Sequence, residues 1–125
     1  MSKIVHTPNA PEAIGPYSQA VVVGKLVFTS GQIPINPQTG NIEKTDIASQ
    51  TAQVCENLKA VLEEAGTSIE NAVKTTCFLN NIEDFASFNE VYAKYFTGKP
   101  ARSCVAVEAL PKGALVEVEV IAEIK

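Results

Sequence analysis

Four side chains in this sequence have the type and spacing to do chemistry: Arg102, Glu117, Glu119 and Cys104. Arg102 follows a Gly98-Lys99-Pro100 break in the run Pro100-Ala101-Arg102-Ser103-Cys104. Alternation over 101–107 puts Arg102, Cys104 and Ala106 on one face of a strand and Ser103, Val105 and Val107 on the other. An arginine at such a strand start has an ordered base and a free head, and its guanidinium can grip a carboxylate through two parallel hydrogen bonds. The alternative is a surface salt bridge, and spacing alone weighs toward it. Glu117 and Glu119 share a face with Leu115 and Ile121. Carboxylates among apolar neighbours can have raised pKa values and act as acid or base; a solvated outer face is the plainer reading. Cys104 has no histidine nearby in sequence to activate it, so a small buried hydrophobe outweighs a nucleophile. Three further positions can line a site or merely pack: Ser30-Gly31 at a strand end, where glycine permits close approach of a ligand; Tyr17 in a loop; and Asn89, a poor helix former amid an apolar helical stretch.

The elements that must position these groups are legible from periodicity. Ile4 and Val5 mark a short strand, and the proline-rich stretch Thr7 to Pro16 a loop. Ala20–Val23 and Leu26–Thr29 flank Gly24-Lys25, which predicts a hairpin. Gly31, Pro34, Pro37 and Gly40 predict a second loop. Ile47, Thr51, Val54, Cys55, Leu58, Val61, Leu62 and Ala65 recur at helical spacing from Asp46 to Ala65, with Thr45 able to cap the start and Gly66 the end. Ala72 to Leu79 alternates, with Val73, Thr75, Cys77 and Leu79 on one face. A second helix is predicted from about Ile82 to Phe96, with Phe85, Phe88, Val91, Tyr92, Tyr95 and Phe96 on its buried side. Strands at about Ala101–Val107 and Leu115–Glu123 complete an order β-β-β-α-β-α-β-β. This predicts one α+β domain over residues 1–125, a mixed sheet with two helices on one face. The other sheet face needs cover, which motivates a homo-oligomer.

The chain's 125 residues fit one domain, and 46% hydrophobic residues are ordinary for a globular protein. There is no apolar run long enough for a membrane span, and the N-terminal residues lack the pattern of a signal peptide; the expected compartment is the cytoplasm. A net charge of −4 without a basic patch disfavours nucleic acid as a partner. Cys55, Cys77 and Cys104 are widely spaced and His6 is the only histidine, so neither a disulfide framework nor a metal site is indicated. No cofactor motif is present.

Set side by side, several segments resemble one family. They are Ala13-Ile14-Gly15-Pro16-Tyr17-Ser18-Gln19-Ala20, Thr29-Ser30-Gly31-Gln32-Ile33-Pro34, Lys74-Thr75-Thr76, Asp84-Phe85-Ala86 with Asn89, Pro100-Ala101-Arg102-Ser103-Cys104-Val105, Leu110-Pro111-Lys112-Gly113-Ala114 and Val116-Glu117-Val118-Glu119. Together, and in this order, they resemble the reactive intermediate deaminase family, RidA (YjgF/UK114), over nearly the whole chain. The resemblance implies a chorismate-mutase-like fold and a homotrimer with sites in clefts between subunits. It implies hydrolysis of 2-imino acids such as 2-iminobutanoate and 2-iminopropanoate, and of enamine tautomers such as 2-aminoacrylate, to 2-oxo acids and ammonia. No metal or organic cofactor is implied. On this resemblance Arg102 would hold the substrate carboxylate and Glu119 would orient or activate water, while Ser30, Gly31 and Cys104 would line the site and Tyr17 and Asn89 match further pocket positions.

One departure stands out: only Thr97-Gly98-Lys99 separates Phe96 from Pro100, where relatives often have a longer loop. It bears on substrate size rather than on the grip by Arg102. Two other function classes compete with the enzyme: a regulatory protein that binds a small carboxylate without turnover, and a ribonuclease. Binding alone needs only the arginine, and the acidic charge counts against RNA.

Overall fold

A computed structural model of the chain describes residues 2–125. The chain order is β1 (Ser2–Val5), β2 (Ala20–Val23), β3 (Leu26–Thr29), β4 (Ile35–Asn36), β5 (Asn41–Ile42), α1 (Ile47–Glu64), β6 (Ala72–Leu79), α2 (Phe85–Tyr95), β7 (Ala101–Ala106) and β8 (Val116–Glu123). Six strands form one mixed sheet in the order β1-β2-β3-β8-β6-β7. Only the β6–β7 pair is parallel, because α2 carries the chain back across the sheet between them. Both helices pack on one face, as the order of elements predicts. β4 and β5 form a separate two-stranded ribbon inside the predicted second loop. Strands of two residues are too short to leave an alternation in the sequence.

The core lies between the sheet and the helices. Val54, Cys55, Leu58, Val61 and Leu62 of α1 and Phe88 of α2 meet Val27, Cys77, Leu79, Val116, Val118 and Val120, all essentially inaccessible to water. Burial of this apolar set supplies the main drive to fold. Three local expectations need correction. Asp46, not Thr45, caps α1: its carboxylate accepts from the Ser49 N–H at 2.9 Å. Val73 does not share the face of Thr75, Cys77 and Leu79, because the register slips between Ala72 and Lys74, turning Ala72 inward and leaving Val73 43% exposed. Phe85, at the start of α2, lies at the sheet edge and is partly exposed rather than in the core.

Three buried amide side chains fix the loops. Gln19 Oε1 accepts from the Thr7 N–H at 2.7 Å, while its Nε2 donates to the Thr7 and Pro11 carbonyls at 3.0 and 2.8 Å. Gln50 accepts from the Leu115 N–H and donates to the Lys44 carbonyl, both at 2.9 Å. Asn57, fully buried in α1, donates to the carbonyls of Ile33 and Ile35 at 3.2 and 3.0 Å. Asn57→Ala removes these two buried hydrogen bonds, although the Ile33 carbonyl still accepts from the Ile35 N–H. It is expected to cost about 2 kcal/mol, read from the midpoint of urea unfolding.

Candidate active site

Two clusters on opposite faces of the sheet hold the candidate residues. The first is at the β7 edge. Arg102 is aligned with Thr75 of β6 and therefore faces the helices. Residues 85, 89 and 92 fall on one stripe of α2 by their spacing of four and three. Asn89 Oδ1 accepts from Arg102 Nη1 at 2.7 Å. The guanidinium carbon lies 4.8 Å from the Tyr92 ring centroid and 5.5 Å from that of Phe85. These contacts are within cation–π range. Tyr92 is itself held by a buried 2.8 Å hydrogen bond to the Thr75 hydroxyl and by stacking on Phe96 at 4.4 Å between centroids.

Arg102 is thus locked in orientation by an amide and two rings, none of which neutralises it. Among the described residues the only ion pair is His6–Glu12, so Arg102 is not the surface salt bridge that spacing alone favoured. A cavity of about 470 Å³ opens beside it, lined also by Asn89, Tyr92, Phe96, Thr97 and Lys99. Cys104 shares the Arg102 face, opposite Cys77, and is half-buried. Burial pushes its thiol pKa up and Arg102 pulls it back only in part, so it is a poor nucleophile. Cys77 is raised further, to about 12, chiefly by burial.

The second cluster lies on the helix-free face. Gln32 bridges to Val118, with N–H···O contacts of 2.8 and 3.1 Å in the two directions. This bridge lays the Ser30–Gln32 segment along β8, beside Glu117. Ser30 Oγ donates to the Ser18 carbonyl at 2.5 Å, tying the segment to the loop that carries Tyr17. Gly31 packs so close to Glu117 that a Cβ there would overlap the carboxylate. Tyr17, Ser30, Gly31 and Glu117 border a cavity of about 540 Å³, with Ile14 and Lys112 among its other walls. Burial, and then the neighbouring Glu119, raise the Glu117 pKa above the ordinary glutamate value.

The sequence-derived set therefore divides. Arg102, Asn89 and Cys104 belong to the helix-side edge; Tyr17, Ser30 and Gly31 belong to the opposite face. Glu119 is aligned with Thr76 on that opposite face, but it is exposed and borders neither cavity. Glu117, paired with it in the sequence reading, occupies the cavity instead. The sequence marks Tyr92 only as a core residue, and the signal for its second role is its place on the Phe85–Asn89 stripe. Among the described residues no cluster of His, Cys, Asp or Glu could hold a metal ion.

Known proteins resemble this chain over almost its full length. The chain is 54% identical over 123 residues to a RutC family protein of Pyrococcus horikoshii, covering 98% of both chains. It is 48% identical over 126 residues to the 2-iminobutanoate/2-iminopropanoate deaminase of Escherichia coli K12, again covering 98% of both. The crystal structure of Escherichia coli TdcF with bound serine superposes with a TM-score of 0.93 at 46% identity, covering 98% of this chain and 99% of that one. The profile described as Endoribonuclease L-PSP matches residues 7–124. With a match of that extent and relatives this similar, the chain belongs to the endoribonuclease L-PSP family, which is the YjgF/RidA family its motifs resemble.

Proposed function

We propose that this protein is a 2-imino acid deaminase, acting on substrates such as 2-iminobutanoate and 2-iminopropanoate, and that its working form is a homotrimer with each site shared by two subunits. The observation that carries the reading is Arg102: a cation fixed by Asn89, Tyr92 and Phe85, without an ion pair among the described residues, and facing a cavity. A small carboxylate is the ligand that fits such a fork. The Escherichia coli relative named as an imine deaminase supports the same substrate class, and serine bound to TdcF is a small amino acid with the same carboxylate.

The chemistry asks little more of the protein. The C2 carbon of a protonated imine is already electrophilic, so water adds to it without a covalent enzyme intermediate. In this reading Glu117 takes a proton from that water as the C–O bond forms and returns it to the nitrogen; as the C–N bond breaks, the remaining hydroxyl proton passes to the departing ammonia. The sum is protonated imine plus water giving 2-oxo acid plus ammonium. A carboxylate with a raised pKa suits both steps, because its proton affinity lies nearer that of the groups it serves. We assign the water-handling role to Glu117 in preference to Glu119, since only Glu117 shares a cavity with Tyr17, Ser30 and Gly31. Gly31→Ala tests this placement. The added methyl is expected to push the carboxylate aside and lower kcat about tenfold, with little change in unfolding midpoint because the displaced group is a side-chain end.

Arg102 and Glu117 lie on opposite faces of one sheet and cannot serve one substrate within a single chain. The helix-free face also carries Val23, Leu26, Phe28 and Val105, all at least 39% exposed, around Ile121 and Phe78. An apolar sheet face of this kind is the usual mark of a subunit interface. Association through it would bring the Glu117 cavity of one chain to the Arg102 edge of the next. Sedimentation equilibrium is expected to show three copies of the 13.3 kDa chain; a monomer at working concentrations would refute the shared site.

The direct test of activity couples the protein to a pyridoxal-phosphate-dependent threonine dehydratase and follows 2-oxobutanoate release. Acceleration is expected. Without it, the protein would instead be a carboxylate-binding regulator, for which Arg102 suffices. The net charge of −4 counts against RNA as the substrate.

A further inference from the structure

We propose that Lys99 makes the Arg102 cavity a two-cation site, so that the preferred substrates are 2-imino acids bearing a second, distal carboxylate. This inference rests on the deaminase reading for its reaction, but its binding chemistry stands on the cavity itself.

The short connection after α2 determines where Lys99 sits. Phe96 closes the helix, its N–H donating to the Tyr92 carbonyl at 3.0 Å. Gly98 then packs directly on the Glu70 carbonyl, with no room for a Cβ. Lys99 follows with φ 54°, in the left-handed region, and Pro100 leads into β7. Glycine or asparagine would occupy that backbone conformation more cheaply than lysine. The backbone therefore does not explain the choice of residue, and the side chain must be considered.

Lys99 and Arg102 line one cavity, together with Asn89, Tyr92, Phe96 and Thr97. No acidic residue borders it, and neither cation is ion-paired among the described residues. The stacked rings of Tyr92 and Phe96 give the cavity an apolar side. A ligand that matches this arrangement has an anionic group at each end and a short carbon chain between. Arg102 would hold the carboxylate next to the imine carbon, and Lys99 the distal one. A neutral side chain of the same length would leave Lys99 without a partner. The second cation thus discriminates by charge rather than by size, and the discrimination weakens as salt rises.

The test compares 2-imino acids made in situ by amino-acid oxidases from aspartate and from 2-aminobutanoate. The ratio of kcat/KM values, dicarboxylic over monocarboxylic, is expected to exceed one in the wild type. It should fall roughly fivefold in Lys99→Gln, the upper range for a part-exposed ion pair, and recover in Lys99→Arg. In parallel, calorimetry on the assembled protein should show succinate binding more tightly than butyrate, by a factor that Lys99→Gln removes. A ratio unmoved by Lys99→Gln, or succinate binding no tighter than butyrate, overturns the proposal. If neither imino acid is hydrolysed, the deaminase reading fails, and the succinate–butyrate comparison still decides the role of Lys99.

Discussion

Arg102→Ala is expected to lower kcat/KM for 2-iminobutanoate by about 100- to 1,000-fold, the scale for losing a bidentate, charge-assisted contact in a partly desolvated site. The fold should survive. Arg102 is only half-buried, on an edge strand, and the core between the sheet and α1 does not include it. Far-ultraviolet circular dichroism should be unchanged and the unfolding midpoint lowered by no more than a few degrees, roughly 1 kcal/mol of lost packing on Tyr92 and Phe85. Arg102→Lys should recover only part of the activity. It keeps the charge but has neither the fork nor the planar surface that rests on two rings. Coupled-assay rates near those of the wild type in Arg102→Ala would remove the basis of the proposed grip.

Glu117→Gln should produce the second large effect, a fall in kcat of about 100-fold or more with KM little altered, because general acid–base help is lost while the carboxylate grip remains. The neighbouring substitution supplies the control. Glu119→Gln should keep kcat within about threefold of the wild type, since Glu119 is exposed and outside the cavity. It should nevertheless move the pH profile. Glu117 works as a base when deprotonated, so kcat/KM falls as pH drops through its raised pKa. Glu119 is one cause of that rise, after burial. Removing its charge lowers the pKa of Glu117, and the acid limb of the profile shifts to lower pH. If Glu119→Gln is instead the damaging change, the water-handling role returns to Glu119.

Much of the fold could be read from the chain because it rests on period. The α1 stripe from Val54 to Leu62, the hairpin around Gly24-Lys25 and the alternation in β8 are one-dimensional patterns with direct structural meaning. The choice between Glu117 and Glu119 could not be read the same way. A period of two places both on one face, and what separates them is the crossing of the Ser30–Gln32 segment at Val118, a contact between residues more than eighty positions apart. The buried amides Gln19, Gln50 and Asn57 are not legible in the sequence for a related reason. Their partners are backbone groups of distant loops, and no side-chain pattern marks a backbone acceptor. The local setting of Arg102 marks it in the sequence, but its lack of an ion pair among the described residues depends on what the rest of the fold keeps away from it.

The separation of Arg102 and Glu117 by the thickness of a sheet has a genetic consequence. A chain lacking Arg102 still offers an intact Glu117 face, and a chain lacking Glu117 still offers an intact arginine edge. Two alleles, each inactive alone, should therefore complement one another when co-expressed. With random assembly of equal amounts into a ring of three, about one quarter of the sites would combine both good halves, so partial activity should reappear without any wild-type chain.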